Sequence, residues 1–144
     1  RSATCRGPSQ PIAPGPAPRM RGMSKPEFSC SVRVQFLPDQ STGDQHAFAY
    51  TVTITNTGDI TGQLVARHWI ISDAGGHTEE VRGLAVVGHQ PLLKPGESFD
   101  YTSWTRINTP QGTMRGTFFC MTEDAHPFDA TVPEFMLAQP SALH

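Results

Sequence analysis

Apolar and polar residues alternate without a break in Phe28-Ser29-Cys30-Ser31-Val32-Arg33-Val34-Gln35-Phe36. Successive side chains of a β-strand point to opposite faces, so this order buries one face and leaves the other in water. The stretch from Phe48 to Ile54 repeats the alternation and has threonines on its wet face, where β-branched side chains favour the pleat. The two stretches predict a pair of strands that cover one core.

Turn residues divide the rest of the chain into further short strands. Glycine stands beside Asn, Asp or Pro at 56–59, 73–76 and 95–96, and these residues favour tight turns. The runs between them predict strands at 63–72, 77–82, 97–105, 114–122 and 128–137, the last interrupted by Pro133 at an edge or a bulge. No helical period of useful length occurs. The sequence therefore predicts an all-β fold, a β-sandwich of about seven to nine strands, with a small barrel as the alternative.

The predicted strand at 63–72 is apolar on both faces. One face offers Leu64, Ala66, His68 and Ile70, and the other offers Val65, Arg67, Trp69 and Ile71. Such a strand is central in its sheet or meets a partner with its outer face. We expect Trp69 to face the core and Arg67 to lie at the rim, where its stem packs and its guanidinium reaches water.

Composition divides the chain into one domain and two terminal segments. Prolines recur in residues 1–24, and apolar residues follow no period there. Such a segment buries too little apolar surface to offset its ordering entropy, so a disordered Pro-rich tail is predicted, with a natural start expected at Met20 or Met23. Residues 25–138 are predicted to form the β-sandwich domain and residues 139–144 a flexible C-terminus.

Charge and cysteine content narrow the function classes. The net charge is -2 over 144 residues, with both signs mixed along the chain, whereas nucleic-acid and membrane surfaces need a basic excess. We therefore predict no nucleic-acid partner and no membrane partner. Sparse cysteines do not form a disulfide framework, so the cytoplasm is the expected compartment. A bridge between Cys30 and Cys120 is left open.

The segment from Val81 to Ser103 contains Gly83-x-Ala85-x-x-Gly88, which approximates the glycine loop that holds pyrophosphate. That chemistry needs a middle glycine for close backbone approach and a helix whose N-terminus meets the anion. Here the middle residue is alanine and no helix pattern follows, so glycines that bend a strand are the favoured interpretation. Arg82 and Lys94 are the basic residues that would meet an anion at this place.

A second candidate site is the acidic cluster of Glu123, Asp124, His126 and Asp129. Carboxylates with one imidazole suit Mg²⁺, Mn²⁺ or Co²⁺ better than a structural zinc ion. No fixed ligand spacing is matched, and hairpin loops are commonly acidic, so a solvated loop is the favoured interpretation. A hydrolase that uses Asp124 or His89 is a third option, although the sequence has no nucleophile elbow. No cofactor is predicted.

Four segments resemble the bacterial ApaG family. They are the strand pair from Val32 to Ile54 with its ending at Ile54 to Gly58, and the segments Val81 to Ser103, Thr109 to Phe118 and Phe128 to Leu137. The resemblance spans roughly residues 25–137 and implies an immunoglobulin- or fibronectin type III-like sandwich. It also implies protein interaction, the usual view of related eukaryotic domains in an F-box protein and a polymerase-delta-interacting protein. The bacterial gene is linked to cobalt and magnesium resistance and to diadenosine tetraphosphate hydrolysis. The family's middle glycine is replaced here by Ala85.

The function predicted from these observations is that of a non-enzymatic binding module. Its predicted partner is an unidentified protein that meets an exposed sheet face or edge, and a homodimer is a further option because edge strands self-associate. The alternative is small-molecule or divalent-cation binding, with a nucleotide or pyrophosphate near Arg82 and Lys94 or a cation within residues 123–129.

Overall fold

A computed structural model of the protein describes residues 24–138. Its strands are β1 (Phe28–Leu37), β2 (His46–Asn56), β3 (Gly62–Asp73), β4 (Thr78–Leu84), β5 (Leu92–Leu93), β6 (Ser98–Ile107), β7 (Gln111–Thr122) and β8 (Pro127–Ala138), and Pro38–Gln40 forms a 3-10 turn. The predicted all-β fold and strand number are confirmed. The expectations for the Pro-rich tail, for Met20 and Met23 and for residues 139–144 lie outside the described residues. Within the described residues no helix is long and apolar enough to cross a membrane.

The strands form two antiparallel sheets. The first has the order β1-β2-β6, and the second has the order β4-β3-β7-β8, with the short β5 also paired to β3. Each pairing is antiparallel. Two separate sheets that enclose one core are the arrangement of an immunoglobulin/fibronectin type III-like sandwich, so the sandwich and not the barrel is the fold.

The alternating stretches pair with each other along their full length. β1 and β2 run from Phe28 opposite Asn56 to Leu37 opposite Ala47. Phe48, Val52 and Ile54 are fully buried, while the threonines between them are partly exposed. The predicted one-sided strands are therefore confirmed, and the hydrophobic face of β2 forms the centre of the first sheet.

Trp69 of β3 occupies the middle of the core. Its ring contacts those of Tyr50 and Phe118 edge-on, at centroid distances of 5.6 and 5.7 Å. The ring fits because its neighbour on β7 is Gly116, where a Cβ atom would lie 2.4 Å from Cε3 of Trp69. The sequence places Trp69 inward correctly, whereas the requirement for Gly116 follows only from the pairing of β3 with β7.

A β-bulge in β3 changes one of the predicted faces. The register with β7 shifts between Leu64 and Ala66, so Val65 is an extra residue on its strand. Leu64 is consequently fully buried on the side of Trp69, whereas Ala66 is only half-buried. The predicted grouping of Leu64 with Ala66 is wrong because strict alternation assumes that no residue is inserted.

β8 is an edge strand with a second bulge at the predicted proline. Its register with β7 shifts between Met114 and Gly116, opposite the segment that holds Pro133. A proline donates no ladder hydrogen bond, which confines it to edges and bulges. The Phe28 and Phe128 rings meet at 5.1 Å, edge to face, so β1 of one sheet packs beside β8 of the other.

Cys30 and Cys120 are free thiols in the core region. Cys30 is half-buried and Cys120 is fully buried. Burial raises the pKa of Cys30 to about 11 and that of Cys120 to about 12, because a thiolate is poorly solvated there. Both side chains therefore pack as small apolar groups.

Candidate functional site

The first glycine of the Gly83-x-Ala85-x-x-Gly88 segment makes room for Arg67. A Cβ atom at Gly83 would lie 2.8 Å from Nη1 of Arg67. That nitrogen donates hydrogen bonds to the carbonyl oxygens of Leu84 and Ala85, at 2.8 and 2.9 Å. Arg67 thus holds the end of β4 from the rim of the sandwich, which is the place predicted for it.

The rest of the segment forms a tight turn after β4. Ala85, Val87 and Gly88 have φ angles of 67°, 50° and 81°, and the backbone of Val86 bonds reciprocally with that of His89. These left-handed conformations favour glycine, and only one of the three residues is glycine. The geometry agrees with the predicted bend. No α-helix follows the turn among residues 24–138, so a helix N-terminus for an anion is absent there.

Arg82 and Lys94 do not converge on this turn. Arg82 lies opposite His68 on β3, whereas Lys94 follows Leu93, which lies opposite Gly62. Six residues of strand separate the two places, or about 20 Å at roughly 3.3 Å per residue. The Arg82 guanidinium already contacts Glu80 at 3.0 Å. A nucleotide site at these two residues stays a prediction, and this geometry gives it no support.

The acidic loop between β7 and β8 brings together two of its four candidates. Asp124 accepts a hydrogen bond from Thr122 and lies 3.2 Å from Nδ1 of His126. The Thr122 hydrogen bond and then the His126 contact hold the pKa of Asp124 below its usual value. Glu123 joins the loop to residue 61 through its backbone N–H, and Asp129 lies on β8 opposite a residue of β7.

Within residues 24–138, no group of three or more His, Cys, Asp or Glu side chains is placed to hold a metal ion. Asp124 and His89, the residues considered for a hydrolase, contact different neighbours. The His89 ring packs against Phe99 at 5.5 Å, while Asp124 is bound within its own loop. A cation site and a hydrolytic site at these residues remain predictions without geometric support.

An apolar groove crosses the outer face of the second sheet. Register places Ala66 opposite Leu84 on β4 and opposite Phe119 on β7, and Phe119 opposite Asp129 on β8. The small Ala66 side chain is the floor between two larger neighbours. The resulting groove has a volume of about 480 Å³. We call this feature the Ala66 groove.

The walls of the Ala66 groove are exposed apolar side chains. Leu84 is 72% exposed and Phe119 is 39% exposed. Isolated exposed apolar residues are ordinary, but adjacent ones that face a shared depression are typical of interaction sites. The strand that supplies the floor is the one predicted either to be central in its sheet or to meet a partner with its outer face, and β3 is central, between β4 and β7.

Charged side chains flank the groove. His68 and Arg82 are the pair two positions further along β3 from Ala66 and Leu84. Both contact Oε1 of Glu80, at 2.9 and 3.0 Å. The hydrogen bond with His68, and then the charge of Arg82, lower the pKa of Glu80. Asp129 lines the groove on its β8 side. The groove therefore has the Arg82–Glu80 ion pair at its β4 margin and an acidic residue on β8.

Sequence reasoning identified the strand but missed the groove. Leu84 lies in the glycine segment and Phe119 on β7, 35 positions apart in the chain, and neither was a candidate site residue. The available signal was the two-sided apolar content of 63–72. Pairing of β4, β3 and β7 in register was needed to place the two walls on either side of Ala66.

The sandwich and its apolar groove define a small β-sandwich domain with an exposed apolar face. The ApaG domain family matches residues 37–122, and the chain therefore belongs to the ApaG family. It is 60% identical to Protein ApaG of Ralstonia nicotianae over 124 residues, covering 85% of this chain and all of that protein. Protein ApaG of an Acidovorax strain is 58% identical over 119 residues, with coverage of 80% and 87%.

A solved structure agrees with the fold. The crystal structure of an ApaA protein from Bordetella pertussis superimposes with a TM-score of 0.78 at 50% sequence identity, covering 80% of this chain and 95% of that chain. The resemblance inferred from the sequence motifs is therefore confirmed at the level of family and fold.

Proposed function

We propose that the protein is a non-enzymatic module that binds a protein partner through the Ala66 groove. The observation that carries the proposal is the pair of exposed apolar walls, Leu84 and Phe119, above a small floor residue. Burying one Leu- or Phe-sized side chain stabilises a complex by about 1.5–3 kcal/mol. An extended partner segment that places one such side chain in the groove would gain this contribution.

The charges beside the groove favour a particular orientation of the partner segment. Arg82 is exposed on the β4 side and Asp129 lines the β8 side. Because Arg82 is already paired with Glu80, the complementary partner is one that places a basic residue toward Asp129 on β8. Complementary charges at an interface act on specificity and association rate more than on affinity.

The proposal includes no catalytic step and places the protein in the cytoplasm. His89 and Asp124, the residues considered for hydrolysis, have separate local partners. The free thiols of Cys30 and Cys120 support a reducing compartment, since oxidising compartments favour disulfides.

Site-specific photo-crosslinking in cells tests the proposal. A photoreactive residue at Leu84 is expected to capture a protein partner, and Ala66→Arg is expected to abolish the crosslink because the arginine fills the groove. Ala49→Arg is the matched control, since Ala49 is a half-buried outward residue of the central strand in the other sheet. A crosslink that survives Ala66→Arg, or one that Ala49→Arg removes equally, would contradict the proposal.

A further inference from the structure

Strand β6 is an unprotected edge of the sandwich. It ends the sheet β1-β2-β6 and pairs with β2 over ten successive positions without a register shift. A free edge presents unpaired backbone N–H and C=O groups, and proteins usually protect such edges with prolines, bulges, charges or covering segments. β6 contains no proline, no lysine and no bulge, and its two charged residues are of opposite sign, so they do not repel an identical strand.

The other edges carry such protection. β8 contains Pro127 and Pro133 together with a bulge, and β1 packs beside β8 through the Phe28–Phe128 contact. β4 is short and presents Glu79, Glu80 and Arg82. Among the described strands, β6 is therefore the long edge whose sequence permits pairing with another strand.

The two charges of β6 are arranged symmetrically. Asp100 and Arg106 are the charged residues of the strand, and each lies three positions from Ser103. In an antiparallel pair of identical strands centred on Ser103, Asp100 of each copy lies directly opposite Arg106 of the other. Neither residue takes part in an ion pair within residues 24–138, and Arg106 instead stacks on Trp104 at 5.0 Å.

We propose that two copies of the chain associate through antiparallel pairing of β6 with β6, about a twofold axis at Ser103. The pairing joins the two three-stranded sheets into one continuous sheet. It forms two Asp100–Arg106 ion pairs, since an interface about a twofold axis repeats each contact. It also places Trp104, which is 53% exposed, opposite Thr102 and diagonal to Trp104 of the second copy, within reach of a large ring.

Alternation along the strand selects this register. Ser98, Asp100, Thr102, Trp104 and Arg106 are exposed, while the residues between them are buried or half-buried. Opposed residues of antiparallel strands share a face, so a shift by one residue would set exposed residues against buried ones. The nearest registers that keep the faces matched place Arg106 opposite Ser98 or Thr102, and both lose the charge pairing.

Charge exchange with the full-length chain tests the register. The wild type is expected to sediment as a concentration-dependent dimer in analytical ultracentrifugation. Asp100→Arg and Arg106→Asp each place like charges opposite each other twice, so each is expected to raise the dimer dissociation constant about tenfold or more. The combined Asp100→Arg/Arg106→Asp variant restores opposite charges and is expected to restore dimerisation.

Two matched variants separate this surface from the others. Arg33→Asp reverses an exposed charge on the same outer face, on β1, and is expected to leave the dissociation constant unchanged. Ala66→Arg blocks the Ala66 groove and is also expected to leave the dimer intact, so the dimer and the protein-binding proposal fail independently. A wild type that stays monomeric at millimolar concentration, a dimer insensitive to both single reversals, or a double variant that fails to recover would each overturn the β6 pairing.

Discussion

Replacing Gly116 with alanine is expected to destabilise the fold strongly. The added Cβ atom would lie 2.4 Å from Cε3 and 2.7 Å from Cζ3 of Trp69, and 2.8 Å from the carbonyl oxygen of His68. Trp69 is 2% exposed and its ring is held by Tyr50 and Phe118. The ring therefore has little freedom to move, and the backbone oxygen has less.

The expected loss is about 2–3 kcal/mol, the upper part of the range for overpacked cores. In urea-induced unfolding followed by tryptophan fluorescence, this corresponds to a midpoint lower by about 1–2 M with an unchanged slope.

Gly43→Ala is the control, since no atom lies within 4 Å of a Cβ at Gly43. Trp69→Phe removes the clashing ring atoms, so Gly116→Ala should be less destabilising in that background. A Gly116→Ala protein within 0.5 kcal/mol of wild type would refute this account of the core, a margin close to the usual effect of surface substitutions.

Three further predictions concern other parts of the fold. Val87→Gly is expected to stabilise the protein by about 0.5–1 kcal/mol, because relief of a left-handed β-branched residue (φ 50°) exceeds the entropic cost of glycine; thermal unfolding measures the sign. The folded-state pKa of Glu80 is lowered chiefly by its hydrogen bond with His68, so the stability that Glu80 contributes is present above its unfolded pKa and is lost as pH falls through the folded value. Wild type and Glu80→Gln should therefore differ in unfolding free energy at neutral pH and converge in acid; a constant difference would be evidence against the contact. Burial raises the pKa of Cys30 to about 11 and that of Cys120 to about 12, so alkylation at pH 8, read by peptide mass spectrometry, should be slow in the native protein and fast in urea; rapid native labelling of either thiol would contradict its burial.

The two proposed surfaces are on different parts of the sandwich. The Ala66 groove lies on the outer face of β4, β3 and β7, whereas β6 is at the edge of the other sheet. A dimer formed through β6 would leave both grooves open. Each dimer would then display two copies of the same binding face, and two linked sites can raise apparent affinity without new contacts.

Local patterns in the sequence determined the strands and the class of fold. Alternation from Phe28 to Phe36 and from Phe48 to Ile54 specifies one buried face, because the side-chain period of a strand is two. Glycine and proline marked the turns, and Pro133 marked the bulge in β8. The alternation failed at Leu64, since a bulge inserts one residue and reverses the face of those beyond it.

Pairing between strands determines which residues form the candidate sites. Leu84, Ala66 and Phe119 come from three strands, and only their register makes them neighbours. The same pairing explains two glycines, because a side chain at Gly83 would collide with Arg67 and one at Gly116 would collide with Trp69. Strand pairing also places Arg82 and Lys94 far apart on the sheet, although they are only twelve positions apart in the sequence. Sequence patterns report the environment within one strand, whereas a surface depends on contacts between strands that are distant along the chain.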